Sequence, residues 1–578
     1  MTAATSLAAV TPESDVDAIY ADASASPAPQ HPQQTPLDIP RNDHGQGLGH
    51  DFGHAQQPLL QPVPQSVPQP LLQQHKESAI PVLMSPAAGG SVSPFAFLYH
   101  PGQIHTALAT QIAALLTPSE SMADVTRGCI DFFIQYIFPN TPVAHEPTLR
   151  EGAALLSPAS LPVFASVASS LPSSVSFAHH EIACLRKFTL VTALCAFVAS
   201  VNPGSLAPAS RIALSRPFLL ASRAMLNVYE EYDLEHPDAT SLAVRIWHSA
   251  ALQNTTGRVG ASYQYHAEAA FLAQRLRLFD ERALQRFPPT EAQLLRAMFW
   301  LLYLADNTAV ALETRPPLLD KRLFQGAFTV REMGDKNDDD GDAATPPPPP
   351  LLDDSNKVNQ GSLESRLFVG FRLKRRIWSA SAELLADIRA FARHKNEEQQ
   401  DTVPDADQEE RTVVRLAEDY LSFVSLADEL PSWLRNPESG CESPDKDVVA
   451  YQRICFWTQR SNIMTVFHCM RLVILQKCLE AKLPEIMGLN DRAFSWATRK
   501  IEIVRDFLYE LQVVPFVCFQ VQGETAVERI RRVGSILLEL IHNGENKTIE
   551  KIVRTQFAQL LDLLAQLDSK ASDELAVD

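Results

Sequence analysis

Histidine and carboxylate side chains that stand next to each other are the first places where this sequence could carry out chemistry. His145 and Glu146 begin like the His-Glu-x-x-His motif, in which two histidines one helical turn apart bind zinc and the glutamate acts as a base. Leu149 occupies the position that the second histidine would need. We therefore expect a polar loop after Pro142 rather than a metal centre.

A glycine-rich stretch near the N-terminus offers a second possibility. Gly45, Gly47 and Gly49 resemble a phosphate-binding loop, but no strand pattern precedes them and no helix pattern follows, so no helix N-terminus is available to bind an anion. Three histidines of the same low-complexity stretch are expected to be solvated, with weak metal affinity as the alternative: His44, His50 and His54. Because no nucleophile, base and oxyanion site can be assembled, we expect that the chain is not an enzyme.

The eight cysteines are spaced like buried thiols rather than like metal ligands. None forms a C-x-x-C pair, and the spacings fit neither zinc ribbons nor zinc fingers. Most stand inside apolar runs, which is typical of reduced thiols in a cytosolic or nuclear protein. We expect no metal or cofactor in this chain. The cysteines are Cys129, Cys184, Cys195, Cys441, Cys455, Cys469, Cys478 and Cys518.

The net charge argues against direct binding of nucleic acid by the whole chain. The formal charge is −18 and the pI is about 5.4, so phosphate backbones are repelled unless basic residues are locally segregated. Two basic groups interrupt the acidic background: Lys374-Arg375-Arg376, and Arg529 with Arg531 and Arg532. We expect solvated helix faces at both, with a nuclear import signal or a phosphate contact as alternatives.

The elements that would position any site are predicted to be helices joined by polar segments. Residues 1–92 are rich in Pro, Gln, Ala and Ser and have few aromatic residues, which predicts a disordered tail. Two further polar stretches, 334–361 and 395–411, are predicted to be exposed insertions between helices. These stretches divide a helical domain into a first half, 93–333, and a second half, 362–570.

Helical periodicity dominates the remainder of the chain. Apolar residues between 265 and 279 recur at steps of three and four, which predicts an amphipathic helix. The next helix, 291–312, is apolar nearly all round and is therefore expected at the centre of the domain. The longest apolar run, 188–201, is too short and too rich in Thr and Ser to span a bilayer, so no membrane association is expected. The predicted class is all-α.

Several segments, taken in order, resemble the regulatory domain of fungal-specific transcription factors of the xylanolytic-activator type. The aromatic and proline-rich run 132–149 is similar to the start of that domain, and the likeness extends over about residues 111–564. The residues that carry the rest of the resemblance are Tyr265, Glu268, Arg296, Phe299, Trp300, Tyr303, Asp306, Arg315, Pro316 and Pro431. Leu295 and Asn307 stand where the family often has arginine.

Within this motif we expect Phe299 and Trp300 in the core and Arg296 and Asp306 in buried polar pairings. Arg296 and Asp306 lie ten residues apart, which is too far for a direct bond within one helix, so each needs a partner elsewhere.

The resemblance implies a nuclear protein that controls transcription through a helical domain responsive to a small-molecule effector or to a partner. Members of the family usually also carry a six-cysteine zinc cluster that contacts DNA. No cysteine precedes Cys129, so zinc is expected only if a missing N-terminal cluster exists. We therefore expect contact with DNA indirectly, through another regulator or the transcription machinery, or through that missing module. The alternative is an all-α interaction scaffold without a transcriptional role.

Overall fold

Helices make up all the regular secondary structure in the residues that the structure describes, which confirms the all-α prediction. The computed structural model describes residues 100–567, except 161–163, 165–178, 202–210, 320–323, 325–327, 334–348, 402–405, 544–545 and the single positions 258, 361, 442 and 491. The predicted tail, 1–92, and most of the predicted insertion 334–361, which is rich in Asp and Pro, lie outside these residues.

The described helices fall into two series. The first series is α1 (Pro101–Leu115), α2 (Met122–Phe132), α3 (Glu146–Ala154), α4 (His179–Val201), α5 (Arg211–Glu235), α6 (Ala239–Thr256), α7 (Val259–Arg275), α8 (Glu281–Leu284) and α9 (Pro289–Leu312). The second series is α10 (Leu363–Asp401), α11 (Ala406–Ser425), α12 (Ser432–Arg435), α13 (Lys446–Glu480), α14 (Ala493–Val513), α15 (Val517–Gln520), α16 (Glu524–Asn543) and α17 (Lys547–Gln566). A π-helical segment, Phe133–Ile137, continues α2, and short 3-10 helices occupy Pro158–Ser160, Lys357–Asn359 and Pro484–Met487.

Local sequence signals explain where the helices begin and end. The Asp238 side chain accepts a hydrogen bond from the Ser241 amide at 3.1 Å, and this capping box starts α6. The same helix ends at Gly257, whose φ of 64° is a left-handed conformation that glycine adopts without strain. Helix α5 begins at Arg211 and continues through Pro217.

The core consists of two groups of helices that meet at α9. In the first group α4 packs against α3, α5 and α6. In the second group α13 packs against α10, α14, α15 and α16. Helix α9 contacts α6, α7, α10 and α13, so the helix that was expected at the centre from its all-round apolarity does join both groups.

Among the described residues, one helix is long and apolar enough to cross a membrane, and it is buried against its neighbours. By length and composition alone the 22-residue segment His180–Val201, which includes the apolar run 188–201, could cross a membrane. However, 72% of its most apolar window is buried inside the protein. Burial among α3, α5 and α6 accounts for this composition.

The two polar stretches differ from what their composition predicts. Leu351 and Leu352, in the described part of 334–361, are buried, and their amides donate to the Glu364 carboxylate at 2.8–3.0 Å. This part is therefore anchored to the core at Leu351, Leu352 and Asn359, whereas residues such as Asp354 and Ser355 are exposed. The stretch 395–411 is largely helical, because α10 continues to Asp401 and α11 begins at Ala406. Its Lys, Glu, Gln and Arg residues are strong helix formers, so polarity alone was a poor indicator of a loop.

Candidate functional site

Asp306 on α9 is the centre of a buried polar group that holds the chain after the helix. Its carboxylate accepts a hydrogen bond from Arg315 Nη1 at 2.6 Å and from the amides of Leu318 and Leu319 at 2.8 and 2.6 Å. Arg315 also contacts His266 Nε2 at 2.8 Å. Burial acts to raise the pKa of Asp306, but hydrogen bonds and charge from His266 and Arg315 hold it below its usual value.

Arg296, on the same helix, finds its partner on α8. Both oxygens of the Glu281 carboxylate lie within 3.1 Å of Arg296 Nε. Glu281 also accepts a hydrogen bond from the Arg331 amide at 2.9 Å. The expected pairings are thus present for both residues. Arg296 and Asp306 bind different segments, as their spacing along one helix requires.

The aromatic residues of the motif lie in the core, as expected. Phe299 is fully buried, and Trp300 and Tyr303 are nearly so. The Trp300 indole N–H donates to the Arg331 carbonyl at 2.9 Å, and the Arg375 guanidinium lies 4.4 Å from the Trp300 ring centroid. These contacts connect α9 to α10 and to the segment around residue 331.

The other residues of the motif lie in three different neighbourhoods. Tyr265 packs edge-on against His248 of α6 at 5.2 Å between ring centroids, and Glu268 forms an ion pair with Arg245 of the same helix at 3.3 Å. Pro316 is exposed and directly follows Arg315. The Pro431 carbonyl accepts the amides of residues 434 and 435 at the start of α12, which packs on α13.

The charged groups of this motif are all engaged by other protein atoms. Glu268, Arg296, Asp306 and Arg315 each bind an oppositely charged side chain. Their arrangement is therefore suited to holding helices in place, and it leaves α9 with fixed connections to α8, α10 and the residues that follow it.

His145 lies in the loop after Pro142, as expected, whereas Glu146 begins α3 and is buried. His145 precedes α3, and its Nδ1 lies 2.8 Å from the Thr148 hydroxyl. Glu146 is fully buried and binds Arg150 at 2.6 Å, the Asp353 amide at 3.0 Å and the Asn359 side chain at 2.9 Å. Among the described residues no group of three or more His, Cys, Asp and Glu side chains is placed to hold a metal ion.

The two basic groups do not form solvated faces throughout, and here the expectation was wrong. Lys374 is only 6% exposed and Arg529 only 3% exposed, whereas Arg376 two residues after Lys374 is exposed. The helical spacing contains a signal for this burial. Lys374 follows Leu367 and Phe371 at steps of four and three, and these two residues are themselves buried.

Lys374 and Arg529 belong to a group of side chains that we call the buried cation cluster, together with Asn140, Gln459 and Gln522. Lys374 Nζ donates to the Asn140 carbonyl at 3.0 Å, and Arg529 donates to the Gln522 side-chain carbonyl. Gln459 donates to the carbonyls of Pro139 and Leu367 at 2.6 and 2.8 Å. The cluster therefore lies between the segment 139–140 and helices α10, α13 and α16.

Polar groups of α13 and α15 connect the two cations. The Asn140 side-chain Nδ2 donates to the Thr458 carbonyl at 3.2 Å, and the Thr458 hydroxyl lies 3.4 Å from Cys518 Sγ. Gln522 donates to the Ser461 hydroxyl at 2.8 Å and to the Cys518 carbonyl at 2.7 Å. Thr458, Gln459 and Ser461 are completely buried, so a polar stripe runs through the core on an otherwise apolar helix.

The buried environment changes the proton affinity of both cations. Burial, followed by repulsion from Arg529, lowers the pKa of Lys374 to about 7. Burial lowers the pKa of Arg529 to about 10. No other charged group of the described residues acts appreciably on Lys374.

Comparison with known proteins assigns no family to this chain. The sequence matches no protein-family model and no curated protein.

Proposed function

We propose that this chain is a transcriptional regulator of the fungal-specific type, and that its helical domain controls gene expression in the nucleus in response to an effector or a partner. The observation that carries the proposal is the arrangement of the residues on which the resemblance rests. Arg296, Trp300 and Asp306 connect one helix, α9, to three different segments. In the sequence these residues are spread over separate turns, and in the protein they act together on the helix that joins both groups.

In this proposal α9 transmits a change from one group of helices to the other. A ligand or partner that alters the packing of α10 or α13 acts on α9 directly, because α9 contacts both helices. Such a ligand shifts the equilibrium between two packings only by its difference in affinity for them. Contact with DNA is made by another regulator or the transcription machinery, or by a zinc-cluster module of the kind that the family resemblance implies.

A tethering assay tests this proposal. The full chain is fused to an unrelated DNA-binding domain, and transcription of a reporter is measured in fungal cells. We expect the fusion to change reporter transcription severalfold, in either direction, and Asp306→Asn to reduce that change at equal protein abundance. The matched control is Asp387→Asn, which removes a solvent-exposed ion pair with Arg415. A fusion that is nuclear and abundant but leaves the reporter unchanged would contradict the proposal.

An interaction scaffold is the second candidate, and one feature of α11 favours it. Val414 and Leu421 are 51% and 66% exposed and lie seven residues apart, so they share one face of the helix. Deletion of the gene separates the candidates, because a scaffold without a transcriptional role leaves transcript levels unchanged under varied carbon sources.

A further inference from the structure

Two buried cations without a carboxylate partner form the least compensated electrostatic feature of the described residues. Lys374 and Arg529 are both more than nine-tenths buried, and repulsion from Arg529 contributes to the lowered pKa of Lys374. Hydrogen bonds connect the two cations through Asn140, Thr458, Ser461 and Gln522. Among the described residues, no Asp or Glu side chain pairs with either of them. By contrast, buried Arg245 pairs with buried Asp233 at 2.7 Å. The interior therefore pairs a buried arginine with a carboxylate elsewhere, whereas these two cations have only neutral partners: the Asn140 carbonyl and the Phe371 ring for Lys374, and the Gln522 side chain for Arg529.

The hydrogen-bonding capacity of the buried cation cluster is only partly used. An ammonium group has three N–H donors and a guanidinium has five. Lys374 donates to one carbonyl, Arg529 donates to one amide oxygen, and Arg529 Nε has no partner. The side-chain oxygens of Asn140 and Gln459 are also buried without a donor. Unused donors and acceptors thus lie together in one place.

Such an arrangement is unfavourable for the protein alone. Removing a charge from water is costly unless the charge is paired, and a second nearby charge of the same sign adds to the cost. Buried polar atoms without partners add a further penalty. Buried like charges and buried polar atoms without partners, kept where apolar residues would be more stable, are typical of a ligand-binding site.

We infer that Lys374 and Arg529 form the receptor for one small anion, a molecule with a carboxylate or phosphate group. The anion accepts hydrogen bonds from both cations and lies between α10 and α16. A hydroxyl group on the same molecule would find an acceptor in the side-chain oxygen of Asn140. Binding at this site does not depend on a role in transcription. Only its use as the effector site rests on the proposed function.

The position of the site explains how an anion would act on the fold. Lys374 is on α10, which packs on both α9 and α13, and Arg529 is on α16, which packs on α13. An anion that draws the two cations together therefore brings α10 and α16 closer across α13. This movement reaches α9 through its contact with α10.

Isothermal titration calorimetry of the full chain tests the inference, with sulfate as the probe for phosphate-like ligands and acetate as the probe for carboxylates. Chloride keeps the ionic strength constant. We expect saturable binding of at least one probe at one site, and an affinity at least tenfold weaker in Lys374→Met. The matched control is Arg376→Met, which removes an exposed cation two residues away and should leave the affinity unchanged. The inference is overturned if neither probe shows saturable binding, or if Lys374→Met and Arg376→Met lose affinity equally.

A second measurement needs no variant. At pH 8 a lysine with a pKa of about 7 is mostly neutral, and a bound anion restores its charge. Binding to the wild-type chain should then take up close to one proton, seen as a binding enthalpy that depends on the ionisation enthalpy of the buffer. Surface cations are already charged at pH 8, so binding without proton uptake places the probe elsewhere and overturns the inference.

The groups around Lys374 do not mask this signal. Arg529 of α16 stays charged at pH 8, because its pKa is lowered only to about 10. Burial raises the pKa of Cys518 on α15 to about 11 and that of Cys469 on α13 to about 12, and it also raises the pKa of Tyr136 and Cys455. These thiols and the phenol remain neutral. Failure of the reporter assay with intact calorimetric binding would reject the transcriptional role but keep the anion site.

Discussion

Among single residues, Asp306 is expected to contribute most to the stability of the motif. Asn is almost the same size but carries no charge and replaces one acceptor oxygen by a donor. Asp306→Asn should lower the free energy of unfolding by about 2–4 kcal/mol, because Arg315 and the amides of Leu318 and Leu319 lose a buried carboxylate partner. Urea denaturation measures the change.

The control for this prediction is an ion pair of similar length at the surface. Asp387 and Arg415 are 2.9 Å apart, with side chains about half exposed. Asp387→Asn should change stability by less than about 1 kcal/mol, since exposed pairs contribute little. Equal losses in the two variants would mean that Asp306 has no special part in holding the fold.

Lys374 should make stability depend on pH in the alkaline range. Its pKa is lowered to about 7 in the folded chain from 10.5, so between these values the unfolded chain binds more protons. The cost of burying the charge is therefore fully present below about pH 7 and decreases as the pH rises toward 10.5. Lys374→Met should be more stable than the wild type near pH 7, by on the order of 4 kcal/mol or less.

The pH dependence of this difference is the decisive observation. Between pH 7.5 and 9.5 the wild type should gain stability relative to Lys374→Met, measured by urea denaturation without added oxyanions. The buried thiols titrate in both proteins and cancel in the comparison. A difference that stays constant across this range would show that Lys374 remains charged when buried, or is not buried.

Among the helices, the contact between α10 and α13 depends on the absence of a side chain at residue 370. A Cβ at Gly370 would lie 2.0 Å from Gln459 Oε1. Gln459 is buried and donates to two carbonyls, so it can move only by breaking these bonds. Gly370→Ala should therefore destabilise the protein by about 2 kcal/mol or more.

Gly260 provides the opposite case within the same experiment. It lies in α7, and a Cβ there would meet no atom within 4 Å. Gly260→Ala should stabilise the protein by about 0.5–1 kcal/mol, because alanine has the higher helix propensity. If the midpoint of thermal or urea denaturation shifts in the same direction in both variants, α10 and α13 do not approach each other closely at Gly370.

Helix positions could be predicted from the sequence because periodicity and capping are local properties. The helix predicted at 291–312, for example, is observed at Pro289–Leu312. The buried cation cluster could not be predicted in the same way. It brings together Asn140, Lys374 and Arg529, which lie more than 150 residues apart in the chain. Tertiary packing, and not the local sequence, determines which turns of two helices face each other. Composition alone also failed to predict that Leu351 is buried and that the stretch 395–411 is largely helical.

For the whole molecule, contacts between distant parts of the chain predict that the two groups of helices unfold together. Asn140 bonds to Lys374 and to Thr458, and Glu146 bonds to the Asn359 side chain, more than 200 residues away. These bonds are buried, and their loss leaves polar groups without partners on both sides. The first and second halves are therefore expected to behave as one cooperative unit.

Hydrogen exchange with mass spectrometry, in increasing urea, measures this cooperativity. Amides of α4 and α13 should exchange with the same opening free energy and the same urea dependence, as expected for global unfolding. Glu146→Gln should lower both values equally, since Glu146 connects the two groups, whereas Glu151→Gln at an exposed pair with Lys187 should lower neither. If α4 kept its protection while α13 exchanged, the groups would be independent, and an anion bound near α13 could not act on α4 through the core.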